Sequence, residues 1–182
     1  MSEMFSRRVF LRGLSVVAAA AALTACSSTN EAVNQALIEG AVGGIVATDC
    51  KIGRSRYWAA NATVPVNEIS FRIVMTNVSS KPVTLSGDNF ATTLDGTPIP
   101  PFNFSARDVG DADIWRTYDS LTIRPGEERS VALAYEISQP TYDSWYRSSR
   151  TVAVSFTCGN QRVTYTKNSR SDEITVSDIE TL

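Results

Sequence analysis

The sequence predicts an all-β fold, an antiparallel β-sandwich of about seven strands preceded by a short N-terminal helix. Three observations point there. Apolar and polar residues alternate at period two, as in Ile69, Phe71, Ile73 and Met75 against Ser70, Arg72, Val74 and Thr76. Turn residues recur between such runs. Near the end, two alternating runs are separated only by Gly159-Asn160, the mark of a hairpin with a two-residue turn.

Taken in order, Ser27–Asn30 is a short polar tether. Glu31 to Ala47 has helical spacing, with Val33, Leu37 and Ile38 followed by Val42, Ile45 and Val46, and Asn30 placed to cap it. Gly40, Gly43 and Gly44 weaken that helix by about 1 kcal/mol each against alanine. A glycine-rich break before the first strand is the alternative. From Tyr57 the pattern is strands and turns. Ile69 to Met75 forms one strand, and Val83 and Leu85 start another. Asp95-Gly96 is a turn signal before Thr97-Pro98-Ile99-Pro100-Pro101, whose prolines exclude a central strand. Leu121 and Ile123 lead into Arg124-Pro125-Gly126, a turn with proline second and glycine third. Val131, Leu133, Tyr135 and Ile137 then share one face. Val152, Val154, Phe156 and Cys158 share another, and Gln161–Thr166 returns beside them. Ile174–Val176 is a candidate short strand in a polar tail.

The first 26 residues carry an address. Ser6-Arg7-Arg8-Val9-Phe10-Leu11-Arg12, an apolar run from Gly13 to Ala22 and Leu23-Thr24-Ala25-Cys26 resemble a twin-arginine lipoprotein signal peptide. Arg12 replaces the family's lysine. The apolar run is short of the about 20 residues a spanning helix needs. The resemblance implies export in the folded state, cleavage before Cys26, and a diacylglycerol thioether on its sulfur, with palmitate among the acyl chains. It places the protein in the cell envelope, lipid-anchored on the extracytoplasmic side. Ser27 rather than aspartate leans toward the outer membrane in a diderm. In a monoderm the site is the outer face of the plasma membrane. Two acyl chains hold a protein stably where one is marginal.

The expected organisation is a signal peptide over 1–25, a tether and short helix over 26–56, a β-sandwich over 57–167 and a polar tail over 168–182. Removing 25 residues from 182 leaves 157, an ordinary single-domain size. Taking Arg7, Arg8 and Arg12 from 17 basic residues leaves 14. Taking Glu3 from 19 acidic residues leaves 18, a formal net of −4. That balance argues against nucleic acid, which selects clustered Lys and Arg. With Cys26 assigned to lipid, Cys50 and Cys158 remain in an oxidising compartment, and a disulfide between them is expected. Its loop of roughly 100 residues would be worth about 4–5 kcal/mol by chain entropy. Two separate buried thiols are the alternative. Folding before export also implies that the reduced domain already folds.

Asn77-Val78-Ser79-Ser80-Lys81-Pro82-Val83, Ile123-Arg124-Pro125-Gly126-Glu127 and Val131–Tyr135 together resemble the small immunoglobulin-like domains of prokaryotic surface lipoproteins. The likeness runs from about Tyr57 to Lys167 and rests on strands and turns, not on a catalytic signature.

The chain contains no histidine. Ser-His-Asp and Cys-His catalysis, blue-copper sites and histidine-based zinc sites are thereby excluded. No phosphate-loop or dinucleotide motif appears. The expectation is a non-enzyme with no cofactor, tethered to a membrane through Cys26 and bound to an envelope protein. Tyr142, Trp145, Tyr146 and Arg147 lie between two expected strands and have the composition of a binding hot spot. Against that, Trp145 and one tyrosine would serve equally to cap the open end of the sandwich. Trp115 and Tyr118 are read as strand core. Asp108, Asp111 and Asp113 surround Gly110 and offer oxygen ligands for calcium, the second functional reading. Their spacing does not match an EF-hand, and an acidic solvated loop is the plainer interpretation.

Overall fold

A computed structural model describes residues 40–57, 63–101, 103–109 and 115–182 of the chain. Arg7, Arg8, Cys26, Asp111, Asp113 and residues 31–39 of the expected helix lie outside them. The described residues are mostly antiparallel β-sheet. They hold thirteen strands rather than about seven, because short edge segments pair as well as the long alternating runs. These are β1 (Ile45–Tyr57), β2 (Val66–Asn77), β3 (Val83–Ser86), β4 (Phe90–Leu94), β5 (Thr97–Ile99), β6 (Asn103–Asp108) and β7 (Arg116–Thr117). They continue with β8 (Ser120–Ile123), β9 (Glu128–Glu136), β10 (Thr151–Cys158), β11 (Gln161–Asn168), β12 (Ile174–Val176) and β13 (Glu180–Thr181). One short helix, α1 (Gln139–Ser144), joins β9 to β10.

One sheet has the order β1-β2-β9-β6-β7. A second has the order β12-β11-β10-β4-β5, with β13 also paired to β11. The small β3–β8 ribbon stands apart from both. The two large sheets face each other across one core. Phe71 of β2 meets Phe90 of β4 and Tyr165 of β11, with ring centroids 6.2 and 5.6 Å apart. The alternation dictates this. Ile69, Phe71, Ile73 and Met75 of β2 are buried, as are Val131, Leu133 and Tyr135 of β9 and Val152, Val154 and Phe156 of β10. Each such side chain contributes about 1.5–3 kcal/mol by leaving water. The ribbon adds Leu85 and Ile123 to the same core.

The helical reading of Glu31 to Ala47 is corrected over its described part. Val42 and Ile45 exchange two backbone hydrogen bonds, of 2.9 and 3.0 Å, around Gly43-Gly44. Both glycines have positive φ, 58° and 85°. A Cβ on Gly43 would lie 2.5 Å from the Cys158 sulfur, and one on Gly44 2.7 Å from the Ser79 Cβ. Only glycine fits this reversal. Ile45, Val46 and Ala47 then begin β1, so the sandwich starts before residue 57. It also runs past 167. The candidate strand Ile174–Val176 forms and pairs with β11, and Glu180–Thr181 pairs there too. β5, which contains Pro98, sits at a sheet edge.

The expected Cys50–Cys158 disulfide is not formed; both thiols are free and buried. Cys158 ends β10 and packs on Gly43, whereas Cys50 sits within the bulge of β1 between Thr48 and Lys51. Two residues beyond Cys50, the Ile52 carbonyl accepts from the Lys167 ammonium at 2.9 Å. Lys167 pairs with Val152, at the far end of β10 from Cys158, and a disulfide needs Cα atoms within about 7 Å.

The sandwich has two poles. At the glycine pole, the Val78 amide donates to Gly44, the Gly126 amide to Asn77, and the Leu182 amide to Asn160. The opposite, helix pole carries α1, the Asp95-Gly96 turn and the C-terminal ends of β1 and β11.

Candidate functional site

The helix pole gathers most of the residues picked out for binding. Ser138 starts α1: its hydroxyl accepts from the Thr141 amide at 3.3 Å, and Pro140 sits in the first turn. Tyr142 and Trp145, three apart, fall on one side of the turn. Trp145 sinks into the core at 3% exposure, and Tyr142 packs half-buried beside it. Tyr146 is left 62% exposed, and Arg147 is exposed as well. Trp145 therefore caps the sandwich, and Tyr146 and Arg147 face solvent.

Two arginines complete the arrangement. Arg54 and Arg56 of β1 pair with Ile69 and Asn67, whose side chains face inward, so both arginines point to the core side at its open end. There they meet α1. The Arg54 guanidinium carbon lies 4.3 Å from the Tyr142 ring centre and 4.6 Å from that of Tyr146. Arg56 lies 4.1 Å from the Tyr142 ring. Such stacks are worth about 0.5–2 kcal/mol each, according to burial. Arg54 also donates to the Tyr142 carbonyl. Arg56 donates to Asn67 at 2.7 Å and reaches Asp143 at 3.4 Å. Asn67 donates to Gln139 at 3.0 Å, and Gln139 donates to both Asp143 oxygens at 2.8 and 2.7 Å. The network fixes α1 on the sheet.

Around this core stand Arg150 and Arg170. Arg150 pairs with Asp95 at 2.8 Å, and the Thr151 amide donates to the same carboxylate at 2.8 Å. These contacts, the Arg150 hydrogen bond first, hold the Asp95 carboxyl below its ordinary range. Arg170 donates to the Arg147 carbonyl. Of this constellation the sequence offered Tyr142, Tyr146 and Arg147. Arg54 and Arg56 were missed, although their spacing of two is the signal of one strand face.

The other candidates fall elsewhere. Asp108 lies toward the glycine pole in an ion pair with Arg129, which also holds Glu127 at 2.6 Å. Among the described residues no group of three or more acidic or cysteine side chains is placed to hold a metal. Tyr118 packs against the core. Trp115 does not: it lies on the outer face of the first sheet between Arg72 and Arg107, 5.5 and 4.9 Å from its ring. No described helix is long and apolar enough to cross a membrane.

No protein-family description and no curated protein matches the chain. Several solved structures are similar. The yjhA protein of Bacillus subtilis is 16% identical, with a TM-score of 0.39 over 62% of this chain and 73% of that one. A candidate lipoprotein of the same organism, ycdA, is 10% identical, with a TM-score of 0.42 over 70% of this chain and 36% of that one. An uncharacterized β-sandwich protein of Clostridium difficile 630 is 13% identical, with a TM-score of 0.38 over 72% and 82%.

Proposed function

We propose that this protein is a lipid-anchored, non-enzymatic envelope lipoprotein whose β-sandwich, immunoglobulin-like in kind, binds a protein of the cell envelope through its helix pole. The observation that carries the reading is Tyr146. It is 62% exposed, yet its ring is held by Arg54 on a pole braced by hydrogen bonds. A rigid, exposed aromatic beside arginine loses little entropy on binding and has hot-spot chemistry. The described chain begins at the glycine pole, so a tether from Cys26 would join the sandwich there. The 14 residues from Cys26 to Gly40 span at most about 50 Å. The absence of histidine supports the non-enzymatic part. Folded export by Arg7 and Arg8 and acylation at Cys26 belong to the same proposal.

The test is photocrosslinking from the full-length chain in its native membrane, with the reactive residue at 146 or, as control, at exposed Arg124 on the glycine pole. A defined protein adduct from 146 and not from 124 is expected. Identical adducts from both, or none from 146, would sink the reading. Tyr146→Ala is the matching variant. Trp145 is unsuitable, because removing a buried tryptophan costs about 3–5 kcal/mol.

A further inference from the structure

The guanidinium groups at the helix pole divide into two sets. Arg56 and Arg150 have carboxylate partners, Asp143 and Asp95. Arg54, Arg147 and Arg170 form no ion pair among the described residues. These three are contiguous. Arg54 lies against the Tyr146 ring, Arg147 follows Tyr146, and Arg170 donates to the Arg147 carbonyl. A chain of formal net charge −2 thus places three arginines that have no carboxylate partner among the described residues around one exposed tyrosine.

We propose that this surface receives an acidic segment of a protein partner, whose carboxylates pair with Arg54, Arg147 and Arg170 while an apolar or aromatic side chain covers Tyr146. The proposal rests on the binding role of the helix pole and names the chemistry of its partner. Guanidinium matches carboxylate in a two-bonded fork. Charge complementarity of this kind steers encounter and sets register. Phosphate-rich polymers and anionic lipid surfaces also carry negative charge, but they present it uniformly. Here Asp143, Asp95 and the exposed Asp172 interrupt the positive charge. Separate cations around an aromatic suit a peptide with a few placed carboxylates.

The test is fluorescence anisotropy of labelled poly-L-glutamate with the full chain in detergent, beside polyphosphate and phosphatidylglycerol vesicles. Saturable binding of poly-L-glutamate is expected, weakened about tenfold by the Arg147→Gln/Arg170→Gln double variant and further by adding Arg54→Gln. Arg124→Gln at the other pole should bind as wild type. The double variant leaves the Arg54 stack intact, so its loss of binding is not a loss of fold; a wild-type melting temperature confirms that. Undiminished binding by the triple variant overturns the proposal. So does tighter binding of polyphosphate or vesicles through the same arginines. If position 146 still crosslinks a protein but poly-L-glutamate does not bind, the acidic assignment fails and the binding pole stands.

Discussion

Asn77 is fully buried and uses every hydrogen-bonding group of its amide. Its nitrogen donates to the carbonyls of Lys81 and Ile123, both at 2.8 Å. Its oxygen accepts from the Ser79 amide at 2.9 Å and the Ser79 hydroxyl at 2.7 Å. In sequence, Asn77-Val78-Ser79 reads as part of the turn that resembles immunoglobulin-like lipoprotein domains. Its work is to close the end of β2 on the β8–β9 turn. Asn77→Ala strands buried carbonyls, so a loss of about 2–4 kcal/mol is expected in urea unfolding, with an unchanged slope. A loss below 1 kcal/mol would mean that water replaces the amide. The opposite case lies between the sheets. The Tyr135 and Thr92 hydroxyls are both buried, and neither has a hydrogen-bond partner among the described residues. Burial pushes the Tyr135 hydroxyl up to about 12. Removing both with Tyr135→Phe/Thr92→Val is expected to be neutral or to raise stability by about 1 kcal/mol, since no satisfied bond is lost. A clear drop in melting temperature would reveal a bridged pair.

The elements that were legible are those whose pattern is local. The alternations of β2, β9 and β10 appear in the sequence at the registers found, because a half-buried strand writes its period directly. The glycine turns at Asp95-Gly96 and Gly126 follow from positive φ, 52°, 81° and 74°. What failed was non-local or ambiguous. Val42, Ile45 and Val46 fit a helix stripe as well as a strand, and only the Gly43-Gly44 contacts with Cys158 and Ser79 decide between them. Gly43→Ala should therefore cost about 2–4 kcal/mol, combining positive φ with overpacking. The helix pole was half legible. Tyr142–Arg147 is one segment, but Arg54 reaches it from 88 residues away. The β4–β5 hairpin contributes Asp95, whose lowered carboxyl gives a pH dependence of definite sign. Its stabilisation is present above the ordinary value of 3.8 and is lost as pH falls through the lower, folded-state value. The stability gap between wild type and Asp95→Asn should be constant near neutrality and close below pH 3.8. The pair is 28% and 38% exposed, so that gap is small.

The described residues hold together without a covalent clamp. Their core joins both sheets and the β3–β8 ribbon, and Cys50 and Cys158 lie inside that core as free thiols. Burial is the leading cause raising both thiols, so the reactive thiolate is suppressed at each. The folded chain should then resist alkylation at Cys50 and Cys158, and both should alkylate fully in denaturant without any reductant. Its melting temperature should be the same with and without dithiothreitol. If reductant lowers the midpoint, or if either cysteine stays blocked in denaturant, a bridge forms and the geometry here is wrong. The result bears on export. A substrate of the folded route expected from Arg7 and Arg8 must complete its fold in a reducing cytoplasm. A sandwich stabilised by a disulfide across roughly 100 residues would gain about 4–5 kcal/mol only after crossing. A sandwich stabilised by packing alone has its full stability beforehand, and the oxidising compartment then adds nothing to it.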